Sequence, residues 1–294
     1  MRVRANGIAI EVEDTGPADR PAVVLVMGLG MQLVAWPDAF VNTLADAGFR
    51  VVRFDNRDVG LSQHFDHLGA PNVMWESLRH RFGMSVRAPY TIADMAADTL
   101  GVMDALHIAR AHIVGVSMGG MIAQRVAIAA PQRVATLASI MSSSGARYLP
   151  GPKPQVVQAL LARPAGFDEA AIADHYVQLF RVIGSPGFPM DEADFRRRVM
   201  LAARRSHHPA GTMRQLTAIA ADTRRADELP RIQSPTLVLH GRADPLVPLA
   251  CGHDTARRIR GAKFHVIDGM GHDLVPGVIQ HLSAHLLPHL QGAS

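Results

Sequence analysis

Residues 112–131 read HIVGVSMGGMIAQRVAIAAP. The first five, His112–Val116, form an apolar run of the length and composition of a buried strand. Ser117–Ala130 then stays apolar up to Pro131, which marks a helix exit. At the junction lies Gly115-Val116-Ser117-Met118-Gly119, followed by Gly120. A nucleophile held on a very tight strand-to-helix turn has a strained backbone, so the residues two before and two after it must be nearly free of side chain. Such a turn lifts the hydroxyl above the sheet edge and aims the helix N-terminus at negative charge developing on a substrate. The pentapeptide alone arises by chance. A strand before it and a helix after it make Ser117 the candidate nucleophile, against a glycine turn that serves packing alone.

Outward from this junction the chain alternates between the two kinds of element. Ile8, Ile10 and Val12 alternate as in an antiparallel edge hairpin. Ala22–Val26 is a continuous apolar run ending at Gly28 and Gly30, and a helical pattern runs from Trp36-Pro37 to Gly48. Phe49–Phe54 is the next strand. Thr91 opens a helix, with Asp94 where a capping-box acid belongs. Val134–Met141, Thr236–His240 and Lys263–Ile267 complete the strands. Nearly all-apolar strands alternating with helices predict a mostly parallel sheet covered on both faces. Two stretches break the alternation. Residues 62–90 are long for a strand-to-helix connection and carry Val73, Met74, Trp75, Leu78 and Phe82, so a short helix is expected there. Residues 146–229 begin proline-rich and then turn helical and basic. They predict an all-helical insertion, a cap (lid) over a core made of 1–145 and 230–294.

A serine nucleophile needs a base, and the base needs an orienting acid. Gly269-Met270-Gly271-His272-Asp273 follows the strand KFHVI, so His272 sits on a glycine-framed loop beyond a strand end. Asp244, in His240-Gly241-Arg242-Ala243-Asp244-Pro245, follows the strand TLVLH and reaches the same sheet edge. Asp268 is its rival, closer to His272 in sequence, but its own strand exit is expected to point it elsewhere. For the oxyanion, one donor is the Met118 N–H. The second comes from Met27-Gly28-Leu29-Gly30, with Leu29 preferred and Gly30 next.

With 294 residues, 48% of them hydrophobic and 19% charged, the chain can bury one large α/β core. No apolar run approaches the roughly 20 residues that cross a bilayer. The start, MRVRANGIAIEVEDTG, does not fit a secretory leader, and one cysteine, Cys251, suits a reducing compartment, so a cytoplasmic location is expected. A net charge of +4 spread over scattered arginine pairs, with Lys only at 153 and 263, lacks the clustering of a nucleic-acid surface. Among 15 histidines, the His207-His208 pair reads as solvated or at a pocket rim and His240 as structural. No metal and no cofactor are expected, and no residue pattern specifies an oligomeric state.

The combination of Gly-x-Ser-x-Gly, Asp244, His272 and the Gly28–Gly30 loop resembles the α/β-hydrolase superfamily over essentially the whole chain. The segment Asp55-Asn56-Arg57-Asp58-Val59-Gly60-Leu61-Ser62 looks like the turn after strand four in lidded members. Asp58 stands where many members have glycine, and Met27 where many have histidine. Both departures resemble the branch of bacterial carboxylesterases that contains aclacinomycin methylesterase. The resemblance implies an α/β-hydrolase fold, a helical cap, and a Ser117–Asp244–His272 triad with Leu29 and Met118 as oxyanion donors. It implies a carboxylesterase acting on a small-molecule ester. Gly30, Met31, Trp36, Met74, Trp75 and Met141 are expected to line an apolar substrate pocket. Asp55, Arg57 and Asp58 are expected to hold their turn. The same triad also supports C–C bond hydrolysis or perhydrolysis, and a non-catalytic ligand receptor on this fold would show a damaged triad.

Overall fold

A computed structural model describes residues 1–292 except 73, 74, 77, 78, 80–83, 163 and 167. The expectations for Val73, Met74, Leu78 and Phe82 therefore fall outside the described residues. The strands are β1 (Arg2–Ala5), β2 (Ile8–Thr15), β3 (Ala22–Val26), β4 (Arg50–Phe54), β5 (Ala111–Val116), β6 (Val134–Ile140), β7 (Thr236–Gly241) and β8 (Lys263–Ile267). Among the described residues they form one sheet in the order β1-β2-β4-β3-β5-β6-β7-β8. The β1–β2–β4 pairings are antiparallel, and every other pairing is parallel.

This order positions the site. From β3 the chain runs through helix α1 (Asp38–Asp46) to β4 on one side, then returns to place β5 on β3's other side. The carboxyl ends of β3 and β5 thus diverge, and such a switch point opens a crevice at the sheet's edge. Side chains of β3 alternate between the two faces, as strand geometry requires. Ala22, Val24 and Val26 enter the core that also holds Met95, Val102, Ile122 and Val126. Val23 and Leu25 enter the opposite core, with Phe40, Leu44, Leu282 and Leu286. Helices α2 (Ile92–Ala105) and α3 (Met118–Ala129) supply the first layer. Helices α1 and α10 (Pro276–Gln291) supply the second, α10 through Val278, Ile279, Leu282, Leu286 and Leu290 at helical spacing. The Thr91–Asp94 capping box is present: Thr91 Oγ1 accepts from Asp94 N–H at 3.1 Å, and Asp94 Oδ2 accepts from Thr91 N–H at 2.7 Å.

Between β6 and β7 the described backbone is helical: α4 (Pro154–Leu161), α5 (Glu169–Ile183), α6 (Glu192–Arg205), α7 (Pro209–Ala221) and the short α8 (Arg225–Glu228). Helix α9 (Leu249–Arg258) follows β7. The pair α5 and α6 has a small core of its own, built from Ile172, Ala173, Val177, Phe195 and Val199. Asp55, Asp58 and Asp98 are buried and paired. Asp55 accepts from Leu33 N–H and Leu61 N–H and from Arg205 at 2.6 Å. Asp98 takes Arg57 in a two-pronged contact at 2.6 and 2.7 Å. Asp58 takes Arg214 of α7 at 2.8 Å on each prong. The Asp55, Arg57 and Asp58 cluster therefore does more than hold its turn. It ties α6 and α7 of the insertion to the sheet.

Arg214 and Asp58 leave 1% and 0% of their side chains exposed. Removing one partner of such a pair strands a charge in a dry interior. Arg214→Ala is expected to lower unfolding free energy in urea by about 3–5 kcal/mol. Replacing both residues with apolar ones should cost much less. Equal losses in the single and double variants would show that the pair's charge is not what matters.

Candidate active site

Ser117 occupies the sharp turn between β5 and α3 with φ 54° and ψ −121°, a conformation that L-residues rarely adopt. The turn closes because glycines flank it. A Cβ on Gly115 would overlap the Gly119 carbonyl, and one on Gly119 would overlap the Val26 carbonyl. The end of β6 fixes the turn from the other side. Ser117 N–H donates to Ile140 O at 2.9 Å, and Ser142 Oγ donates to Ser117 O at 2.7 Å.

His272 stands between Ser117 and Asp244. Its Nδ1 is 2.7 Å from Asp244 Oδ2 and its Nε2 is 3.0 Å from Ser117 Oγ. A carboxylate only accepts, so Nδ1 carries the hydrogen and Nε2 offers its lone pair to the serine hydroxyl. Asp244 Oδ1 accepts the N–H groups of Leu246 and Val247 at 2.9 and 2.8 Å, which leaves Oδ2 for the imidazole. Burial pushes the Asp244 carboxyl upward. The charge and hydrogen bond of His272 and the Val247 amide outweigh it and hold the group below the usual carboxylate range. Asp268 is 80% exposed and pairs with Arg242, away from the imidazole. His240 Nε2 lies 2.7 Å from Val247 O.

The loop after β3 runs beside the serine. A Cβ on Gly28 would lie 3.2 Å from Ser117 Cβ. Gly30 N–H is committed to Gln215 Oε1 at 2.8 Å. Among the described residues the Leu29 N–H donates to no protein acceptor, and Met118 is the first residue of α3, where the N–H has no partner within the helix. This separates Leu29 from Gly30 as a free donor. The arrangement can deprotonate a serine, hold an imidazolium and offer two backbone N–H groups to an oxyanion.

The sequence pattern described as the alpha/beta hydrolase fold matches residues 21–276. The chain belongs to the α/β-hydrolase family. Rhodomycin D methylesterase DauP of Streptomyces sp. (strain C5) is 33% identical over 301 residues, covering 95% of this chain and 93% of its own. A 2-hydroxy-6-oxononadienedioate/2-hydroxy-6-oxononatrienedioate hydrolase of Pseudomonas sp. is 27% identical, covering 91% and 86%. The solved enol-lactonase of Burkholderia xenovorans LB400 shares the fold, with a TM-score of 0.71, 24% identity, and coverage of 99% of this chain and 100% of that one. This family member is a hydrolase with methylesterase relatives.

The pocket expectations divide. Gly30 and Met31 lie on the loop beside Ser117. Trp36 does not line a cleft: it is fully buried and stacks on Phe40 with ring centroids 5.5 Å apart, because α1 packs its apolar face into the sheet there. Met141 likewise belongs to the interior, grouped with Val116, Ile140 and Met270. Trp75 is 54% exposed, and Met74 lies outside the described residues. Residues of the insertion that carry no motif do reach the site. Thr212 on α7 faces Gly30 so closely that a Cβ there would meet its Oγ1 at 2.7 Å. The loop of His272 rests on the end of α5. His272 N–H donates to Ile183 O at 2.7 Å, Gly271 N–H to Ser185 Oγ at 2.8 Å, and Ser185 N–H to Asp273 Oδ2 at 2.9 Å. Burial raises the Asp273 carboxyl despite those Ser185 contacts. A serine just past a helix end gives no sequence signal for this role.

Since Asp244 is held low in the fold, its ionised form adds stability in full above the unfolded-state value of about 3.9, and that contribution is lost as pH falls through the lower folded value. Asp244→Asn lacks this titration. Calorimetry should find the Tm gap between wild type and Asp244→Asn widest near neutrality and closing below about pH 4. A gap constant down to about pH 3 would contradict a depressed Asp244.

Proposed function

We propose that this hydrolase is a serine carboxylic ester hydrolase, a carboxylesterase that acts on small to medium, largely apolar esters through an acyl-enzyme. The observation that carries the reading is His272 within hydrogen-bond reach of both Ser117 and Asp244. Ser117 Oγ attacks the ester carbonyl while His272 Nε2 takes its proton, and Asp244 stabilises the imidazolium. The Leu29 and Met118 amides hold the tetrahedral oxyanion, each such donor contributing about 2.7–4 kcal/mol to the transition state. His272 then protonates the departing alcohol. Water, deprotonated by the same imidazole, cleaves the acyl-enzyme and frees the acid. Residues 146–229 serve as a cap over the core of 1–145 and 230–294, with α7 facing the oxyanion loop through Thr212. The buried free Cys251 fits a reducing compartment, and the cytoplasm is the proposed location. Among the described residues, no helix is long and apolar enough to cross a membrane.

A C–C bond hydrolase reading competes, given the relative named for a dienedioate. A dianionic substrate calls for unpaired cations. The four buried arginines among the described residues, Arg50, Arg57, Arg214 and Arg225, each face a carboxylate of this chain. That favours an uncharged ester.

Stopped-flow mixing with p-nitrophenyl butyrate is expected to show a phenolate burst of one equivalent, absent in Ser117→Ala, with the acyl adduct visible by mass. Asp244→Asn should retain the fold and lose on the order of 10⁴ in kcat. Neither burst nor turnover across esters of varied acyl length and alcohol bulk would sink the proposal, and faster cleavage of a diketone would replace it with C–C chemistry.

A further inference from the structure

His208 is the last residue before α7, and its imidazole reaches across to the core segment that follows β4. Its Nδ1 lies 3.1 Å from the Asp58 carbonyl oxygen and its Nε2 lies 2.7 Å from Asp66 Oδ1. His64, on that same segment, has its Nε2 3.1 Å from the Gly60 carbonyl oxygen. The two rings stack with centroids 3.9 Å apart. One ring nitrogen of each histidine and one Asp66 oxygen all lie within 4.8 Å of one another. Both histidines are half-buried, while the Asp66 side chain is 69% exposed. None of the three hydrogen-bonds to Ser117, His272 or Asp244.

A carbonyl oxygen accepts hydrogen bonds and cannot donate them, so His208 Nδ1 and His64 Nε2 carry hydrogens. In the neutral rings the other nitrogens hold lone pairs. The lone pair of His208 Nε2 then faces a carboxylate oxygen at hydrogen-bond distance, and two acceptors in that position repel unless a cation lies between them. A proton is one such cation and a metal ion is the other. Backbone carbonyls that fix the tautomer and plane of an imidazole are the usual outer support of metal-ligating histidines. Two imidazoles and a carboxylate suit zinc and its neighbours among the divalent transition metals.

We propose that His64, Asp66 and His208 form a binding site for a divalent transition-metal ion of the zinc class, with water completing its shell. To admit the ion, the exposed Asp66 carboxylate draws back and the His64 ring turns out of the stack, giving up its bond to the Gly60 carbonyl, so that His208 alone keeps a backbone carbonyl behind it. Arg214, 3.2 Å from Asp66 Oδ1, keeps its buried partner Asp58 when Asp66 moves. The ion is not a reactant. It clips the start of α7, which carries Thr212 and Gln215 over the oxyanion loop, to the core.

The test uses chelator-stripped protein titrated with ZnCl₂ by calorimetry and with CoCl₂ by visible absorption. Wild type is expected to bind one ion with the intense d–d bands of a low-coordinate cobalt site and to melt higher with zinc. His64→Ala and His208→Ala should each weaken that binding by about 10–100-fold or more. His285→Ala, which removes half of the separate His265–His285 stack, should leave it unchanged. His64 lies on a part-exposed segment, so His64→Ala keeps the test valid if His208→Ala unfolds. Equal affinity in wild type and His64→Ala, or no stoichiometric binding at millimolar zinc, would overturn the proposal.

Discussion

Holding Ser117 at φ 54° and ψ −121° costs on the order of 1–3 kcal/mol, so the backbone keeps that shape only where its surroundings leave it no other. Three adjacent strands supply the confinement. The β3 carbonyl of Val26 packs against Gly119, β5 feeds the turn through Gly115, and the end of β6 engages both the N–H and the C=O of Ser117. Once the serine is fixed in this way, its partners must come to it. β8 lies three strands from β5, roughly 14 Å away at about 4.8 Å per strand. The loop carrying His272 must therefore fold back over the sheet edge, and a loop so extended needs outside support.

That support comes from the helical insertion. Ile183 and Ser185, at the end of α5, hold the backbone of His272 and Gly271, while Gln215 of α7 occupies the Gly30 N–H in the loop beside Ser117. Arg205 and Arg214 bury their charges against Asp55 and Asp58 of the core. Pulling these helices away as a body would break both ion pairs and remove the backbone contacts that hold His272. The helices between β6 and β7 are thus part of the framework that holds His272, and on the proposed cap role substrate access would use smaller motions than wholesale lifting.

What was legible in the sequence follows from range. Strand ends followed by glycines are local signals, and β3, β8, the Thr91–Asp94 box and the order Ser117, Asp244, His272 could be read from neighbouring residues. Asp244 and Asp268 both follow strands, and the choice between them rested on the direction of a strand exit. The arginine partners of Asp55 and Asp58 lie some 150 residues away, and nothing in a helical, basic stretch says which arginine turns inward. Trp36 and Met141 are buried in the interior, and the sequence hides this for a different reason. An apolar side chain near a catalytic loop has the same composition whether it faces the cleft or the core, and only the packing of α1 and β6 decides. His64, Asp66 and His208 show the same limit, since their approach depends on how the insertion docks.

The charge arrangement also bears on what leaves the enzyme. On the proposed chemistry a neutral ester enters and a carboxylate forms beside Ser117. An anion in an apolar cleft is disfavoured unless a cation or several N–H groups hold it. The buried arginines are already neutralised by Asp14, Asp98, Asp58 and Asp222, and the oxyanion amides fit a tetrahedral centre better than a planar acid. The Asp244 charge, buried behind the imidazole, adds repulsion to any second carboxylate once His272 is neutral again. On the proposed chemistry these four neutralised arginines offer the acid product no free cation, which would favour its departure and the next turnover.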